Sequence, residues 1–279
     1  MKKIILVIMI IAITMTASVL VACSQVNQLN MLSMGWLDYE CYTYNIYHTE
    51  GNNSTIIGTM TYTYNRVDGE VEVNGKKFNQ SHGAMIETKL TISGGEYSGS
   101  TMESVVIFGS TFVPTASYKK FVCSDSSLSY TSFADYTKSG KNGSFTYSDE
   151  NGEKTSEFKK SGAYDNECLY TLIRASVFET NNYSLSMRVP DNSTYELRTV
   201  TIGKMAVDSK IKADYHDTEF TCTAIAARVT SKKGSSTTHT AYYSNEPIKV
   251  DGKDIVKPIV QIVEGNYKFV LASVTTIKA

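Results

Sequence analysis

Most of this chain alternates apolar and polar side chains with a period of two, broken at short intervals by turn-forming dipeptides. Tyr42, Tyr44 and Ile46 share one face of Tyr39–His48, and Ile57, Thr59, Thr61 and Thr63 alternate with Gly58, Met60, Tyr62 and Tyr64. Successive side chains of a strand point to opposite faces, so this pattern fits half-buried strands and no helix. Similar runs occupy Ala84–Ser93, Ser100–Phe108, Ala116–Ser124, Ser127–Tyr136, Ser144–Asp149, Lys154–Lys159, Tyr183–Val189 and Tyr195–Gly203. Phe220–Val229, Thr237–Ser244, Ile259–Val263 and Tyr267–Val274 complete the set. Asp68-Gly69, Asn74-Gly75, Asn142-Gly143, Asn151-Gly152 and Asp251-Gly252 accept positive φ and are the strongest short-range hairpin signals. Many strands joined by short turns exclude βαβ units. The predicted fold is mainly β: a long curved antiparallel sheet, half-barrel or open barrel. Pro114, Pro190, Pro247 and Pro258 all fit strand ends or loops.

One segment breaks the period. Cys168, Leu169, Leu172, Ile173 and Ala175 recur at helical spacing, with Asp165 placed to cap the N-terminus and Glu167 in the first turn. A single helix over Asp165–Ser176 is therefore expected to cover one face or end of the sheet, burying Leu169, Leu172 and Ile173.

Composition narrows the function classes. With 27 basic and 28 acidic residues the chain lacks the cationic excess of a nucleic-acid binder. Only 18 Gly and 4 Pro among 279 residues, with 42% hydrophobic content, indicate a chain able to build a core. The 19 tyrosines match the demand for residues that suit pleated, half-buried surfaces.

The N-terminus carries an address. Lys2 and Lys3 precede an uncharged, Ile- and Val-rich run from Ile4 to Ala22, which ends Leu20-Val21-Ala22-Cys23. This tetrapeptide resembles the lipobox of bacterial lipoproteins. The resemblance implies a diacylglyceryl group on the Cys23 thiol, cleavage just before it, and a membrane anchor. The expected organisation is then a signal peptide over 1–22, a lipidated tether over 23–37 and a single β-rich domain over 38–279, held at the cell envelope outside the cytoplasm. A secretory peptide cut nearby and an uncleaved membrane anchor are the competing readings of the same residues. In outline, the body is similar to the LolA/LolB half-barrels, envelope proteins that hold acyl chains; no motif carries that likeness, and it assigns no residues.

Four further cysteines, Cys41, Cys123, Cys168 and Cys222, permit one or two disulfides in an exported chain, or serve as small apolar packing residues. They contain no Cys-x-x-Cys, so neither a zinc nor a redox motif arises. Ser117–Lys120 matches Ser-x-x-Lys, the signature of β-lactamases, but that chemistry needs both groups on one helix face. In a strand, positions three apart face opposite ways. His48, His82, His216 and His239 are scattered without metal-ligand spacing. There is no nucleophile elbow, P-loop or dinucleotide fingerprint, so no catalytic residue, metal or cofactor is expected. Tyr42, Tyr44, Tyr62 and Tyr64 either fill a half-buried sheet face or line a ligand groove. The function expected is a non-catalytic envelope binding module for a lipid or other apolar ligand. The alternatives are a purely structural or interaction module and, last, a cell-wall or glycan hydrolase.

Overall fold

The computed structural model describes residues 36–278 except 52, 139, 161, 177–182 and 192; Cys23 and the lipobox lie outside the described residues. The first half of the chain is a meander of eight strands: β1 (Tyr39–Glu50), β2 (Asn53–Val73), β3 (Lys76–Ile92), β4 (Thr101–Phe108), β5 (Pro114–Val122), β6 (Tyr130–Asp135), β7 (Asn142–Asp149) and β8 (Gly152–Lys159). A short β9 (Ala163–Asp165) leads into helix α1 (Leu169–Ser176). There follow β10 (Tyr183–Asp191), β11 (Thr194–Lys212), β12 (Glu219–Thr230), β13 (Ser236–Ser244), β16 (Ile259–Glu264) and β17 (Tyr267–Thr275). Between β13 and β16, β14 (Ile248–Val250) and β15 (Lys253–Ile255) pair only with each other.

Among the described residues one sheet of 15 strands runs β8-β7-β6-β5-β4-β3-β2-β1-β17-β16-β13-β12-β11-β10-β9. The two halves meet where β1 pairs antiparallel with β17, with His48 opposite Tyr267 and Tyr42 opposite Val274. Every neighbouring pair is antiparallel except β9 and β10. Register shifts in β1 at Thr43/Tyr44 and Ile46/Tyr47 bend the ladder as bulges do. The sheet curves but does not close. Its edges β8 and β9 are consecutive in the chain, yet no ladder joins them. Side chains join the β7–β8 end to β10 and β11: the Phe145 and Tyr195 rings stack at 4.5 Å, Phe158 and Tyr136 pack edge-on against Tyr195, and Arg188 donates to Lys159 O at 2.8 Å.

The turn signals divide. Asn74-Gly75 and Asp251-Gly252 turn tightly with positive φ at both residues, which is what these dipeptides favour. Asp68-Gly69 instead lies inside β2, at a register shift between Val67 and Gly69. Beyond that point the β2–β3 hairpin turns onto the convex face, where Val73 and Phe78 cover Ile107, Ala116 and Phe133. Asn142-Gly143 opens β7 and is no turn. The Phe158 ring occupies the space beside Gly143, where an added Cβ would come within 2.3 Å of Cζ.

The expected helix forms, with Asp165 Oδ1 accepting from Glu167 N at 3.0 Å to cap a 3-10 turn (Asn166–Cys168) that runs into α1. It covers the concave face as expected, and it sits deep in it. Leu169, Leu172 and Ile173 are buried as predicted, but Thr171 and Arg174 are buried as well. The helix is enclosed by the concave face and acts as a plug. Burying each large aliphatic side chain contributes about 1.5–3 kcal/mol, and the polar ones need partners. Thr171 finds Tyr62 OH, Tyr170 O accepts from Tyr243 OH at 3.0 Å, and Arg174 Nη1 reaches Glu40 Oε2 at 2.6 Å. Trp36, at the end of the expected tether, is buried against Tyr64, Phe112 and the Arg174 guanidinium.

Candidate functional site

The plug divides the concave interior into a filled part and an open one. On the filled side, Tyr42, Tyr44, Tyr62 and Tyr64 are all at most 5% exposed. Tyr42 OH donates to Glu40 Oε2, Tyr44 OH donates to Ile259 O at 3.1 Å, and the Tyr64 ring packs on Trp36. Burial pushes the Tyr42 and Tyr44 phenols well above their ordinary range. Of these four proposed ligand-face tyrosines, Tyr62 alone also borders the open part. Leu172 and Ile173 are fully buried, whereas Leu169 borders that space.

The open part is a chamber of about 430 Å³ beside the start of α1. Met60, Leu90, Met102, Leu169, Met187, Val229 and Phe269 form apolar wall, and Lys119, Asn166, Glu167, Tyr170, Arg198, His239 and Glu264 converge on it. A second hollow of about 610 Å³ shares Leu90 and Phe269 with it and extends along Ile46, Ile57, Ile92 and Phe121 towards His48 and Glu50 at the β1–β2 turn. The two volumes therefore adjoin across the same pair of side chains. A third hollow, about 440 Å³ alongside β9 and β10, has only Lys160 as a charged lining group.

Topology explains how the polar groups meet. Lys119 lies on the concave face of β5 between Ser117 and Phe121, and Glu167 sits in the turn before α1; their side chains pair at 2.5 Å. Burial alone would lower the Lys119 pKa, but Glu167 and Tyr130 hold it above the usual lysine range. His239 on β13 is directly opposite Glu264 on β16 in the ladder, with Nδ1 3.1 Å from Oε1, and Tyr170 OH donates to the same oxygen. Glu264 keeps 35% of its side-chain surface accessible but sits deep in the wall. Burial, with Lys119 relieving and Glu167 reinforcing it, raises its pKa to about 7. Burial lowers the His239 pKa. At neutral pH the group can thus exchange a proton beside apolar wall, although among the described residues no Ser or Cys borders the chamber.

Asp165 forms a separate buried centre at the seam, accepting from Tyr136 OH at 2.9 Å and from Tyr195 OH. Burial raises its pKa, as does the nearby Glu167, while the Ser117 and Tyr195 hydroxyls pull it back. This is the environment of Ser117; it holds the sheet edges and the helix start together.

Cys41, Cys123, Cys168 and Cys222 are all free thiols, so no permitted bridge is formed. Burial pushes the Cys168 thiol well above its ordinary pKa and that of Cys222 up to about 12, which makes both poor nucleophiles. No group of three or more His, Cys, Asp or Glu among the described residues is placed to hold a metal. No helix among them is long and apolar enough to cross a membrane.

Fold and chamber together define a β-barrel-like protein with an open, partly polar interior. No protein-family model matches the sequence, and no curated protein matches it. Among solved structures the chain is similar to the β-barrel-like protein of domain of unknown function DUF1849 from Brucella abortus. That likeness has a TM-score of 0.55 at 9% identity, covering 87% of this chain and 99% of that one. A candidate exported protein with a YmcC-like fold from Bacteroides fragilis aligns over 85% of this chain and 95% of its own, at 9% identity and a TM-score of 0.28. The first of these supports the fold alone.

Proposed function

We propose that this chain is an exported envelope lipoprotein, anchored through Cys23, whose curved sheet holds a lipid or similar apolar ligand without transforming it. The observation that carries this is the chamber beside α1 adjoining a larger apolar hollow across Leu90 and Phe269. Among the described residues no side chain fills this space. Burying one methylene of an acyl chain there is worth about 0.8 kcal/mol, so a chain of ordinary lipid length would bind stably. The Leu20–Cys23 motif would place that cavity next to a membrane. Native mass spectrometry of residues 24–279, followed by solvent extraction, is expected to show a bound mass in the lipid range. A clean unliganded mass, with no uptake of an apolar fluorescent probe, would replace this reading by a structural envelope module. Alkyne fatty-acid labelling is expected to tag the wild type and not Cys23→Ser; equal labelling would remove the anchor.

A further inference from the structure

We infer that the chamber binds a hydrocarbon-tailed cation, an alkylammonium amphiphile whose nitrogen sits beside Glu264 and whose tail runs past Leu90 and Phe269. This rests on the ligand-holding reading above and adds the chemistry of the head group. The charges around the chamber leave Glu264 without a cation of its own. Lys119 is taken by Glu167 at 2.5 Å. Arg198 pairs with Glu196 at 2.8 Å and lies 3.9 Å from Asp191. His239 faces Glu264 across the ladder, but its burial favours the neutral ring. Tyr170 donates a hydrogen bond to Glu264 and brings no charge. One carboxyl therefore stands in a poorly hydrated wall, and burial is the first cause of its raised pKa.

A second observation has the same sign. Asn166 Oδ1 borders the chamber, is buried, and accepts no hydrogen bond among the described residues. Asn166 Oδ1 and the Glu264 carboxylate are thus acceptors, the buried His239 Nδ1 beside them also makes no hydrogen bond, and an ammonium offers both the charge and the N–H donors the two acceptors lack. A carboxylate or phosphate head would meet Glu264 with like charge, while the cations that could receive it are already paired. Binding a cation favours ionised Glu264, so uptake at neutral pH should release part of a proton.

The test uses residues 24–279, the chain that would follow Cys23 after the expected cleavage, which contains all the described strands and core. Calorimetric titration compares dodecylammonium with dodecanoate, two probes with the same tail and opposite heads. Dodecylammonium is expected to bind tighter by about tenfold or more at pH 7.5, a difference of about 1.4 kcal/mol per decade. Buffers of different ionisation enthalpy should report proton release, and the preference should fade below about pH 6 as Glu264 becomes neutral. Glu264→Gln, which keeps an acceptor for Tyr170, should abolish the preference while retaining tail binding. If that variant fails to fold, proton release and the pH profile of the wild type decide. Dodecylphosphoethanolamine, an ammonium on a phosphodiester, separates the sources. Binding matching that of the simple amine indicates a membrane lipid, and binding of the amine alone indicates a free amphiphilic amine. Equal affinity for the two dodecyl probes, or preference for dodecanoate, overturns the cation inference and leaves the ligand-holding reading standing. Binding of neither overturns both.

Discussion

Removing the charge of Arg174 tests what holds the plug in place. Glu40 is 0% exposed and accepts from Arg174 Nη1 at 2.6 Å, Tyr42 OH at 2.5 Å and Leu37 N at 3.0 Å. Arg174 also donates through Nη2 to Val256 O at 2.6 Å and stacks over Trp36 at 5.2 Å. The pair therefore ties α1 to β1, to the β15–β16 connection and to the segment entering the fold. Arg174→Met keeps most of the side-chain volume but strands a buried carboxylate, a change that costs about 3–5 kcal/mol. Against a total stability of about 5–15 kcal/mol, that would bring the protein close to unfolding. Glu40→Gln strands the guanidinium and should cost a similar amount. Glu40→Gln with Arg174→Met removes both charges, so its loss should fall well below the sum of the singles, by about 2 kcal/mol or more. Urea denaturation read by fluorescence of Trp36, the single tryptophan of the chain, measures all three. Strict additivity, or a loss below about 1 kcal/mol in Arg174→Met, would refute the claim that this ion pair secures the helix.

Gly143→Ala should destabilise by about 1–3 kcal/mol, because its Cβ would press on the Phe158 ring at 2.3 Å; differential scanning calorimetry would show the lowered Tm, and an unchanged one would contradict the seam packing. Denatured, unreduced protein of residues 24–279 should titrate 4 thiols, matching the free cysteines; fewer would mean that bridges form on export. Because burial raises the folded pKa of Asp165, its contribution to stability is present below the ordinary carboxylate range and lost as pH rises through that raised value. Thermal melts at about pH 4 and pH 7 should therefore show Asp165→Asn gaining on the wild type at the higher pH; a constant difference would argue against the assigned shift.

Local pattern made much of the fold legible. β1 and β17 form where alternation predicts them, and Asp165 caps the helix as its side chain dictates. What misled was turn chemistry taken without its partners. Asp68-Gly69 signals a hairpin, but the alternation of Val71, Val73 and Phe78 beyond it continues the ladder onto the outer face. Glycine is required at 143 by an aromatic ring on the neighbouring strand, a cross-strand fact invisible to a dipeptide rule. The same limit hid the chamber. His239 and Glu264 become neighbours because β13 pairs with β16 and bypasses the β14–β15 arm. Lys119 faces inward because Ala116 and Phe133, on the opposite face of the sheet, lie beneath the folded-back hairpin.

The placement of charge within one concave face bears most directly on function. Glu40 and Arg174 occupy core-facing positions on the filled side, where each neutralises the other and neighbouring donors and acceptors complete the set. A pair so enclosed ties the plug to β1 and to the β15–β16 connection at once. On the open side the same sheet presents Glu264 beside His239, Tyr170 and the Lys119–Glu167 pair, around a space that no described side chain fills. Burying these groups costs stability. A fold able to satisfy Glu40 so fully on one side had the means to do so on the other. That Glu264 has at contact distance only the Tyr170 hydroxyl and a His239 ring whose burial favours its neutral form, beside apolar surface long enough for an acyl tail, is what the chamber would need if its missing partner arrived with the ligand.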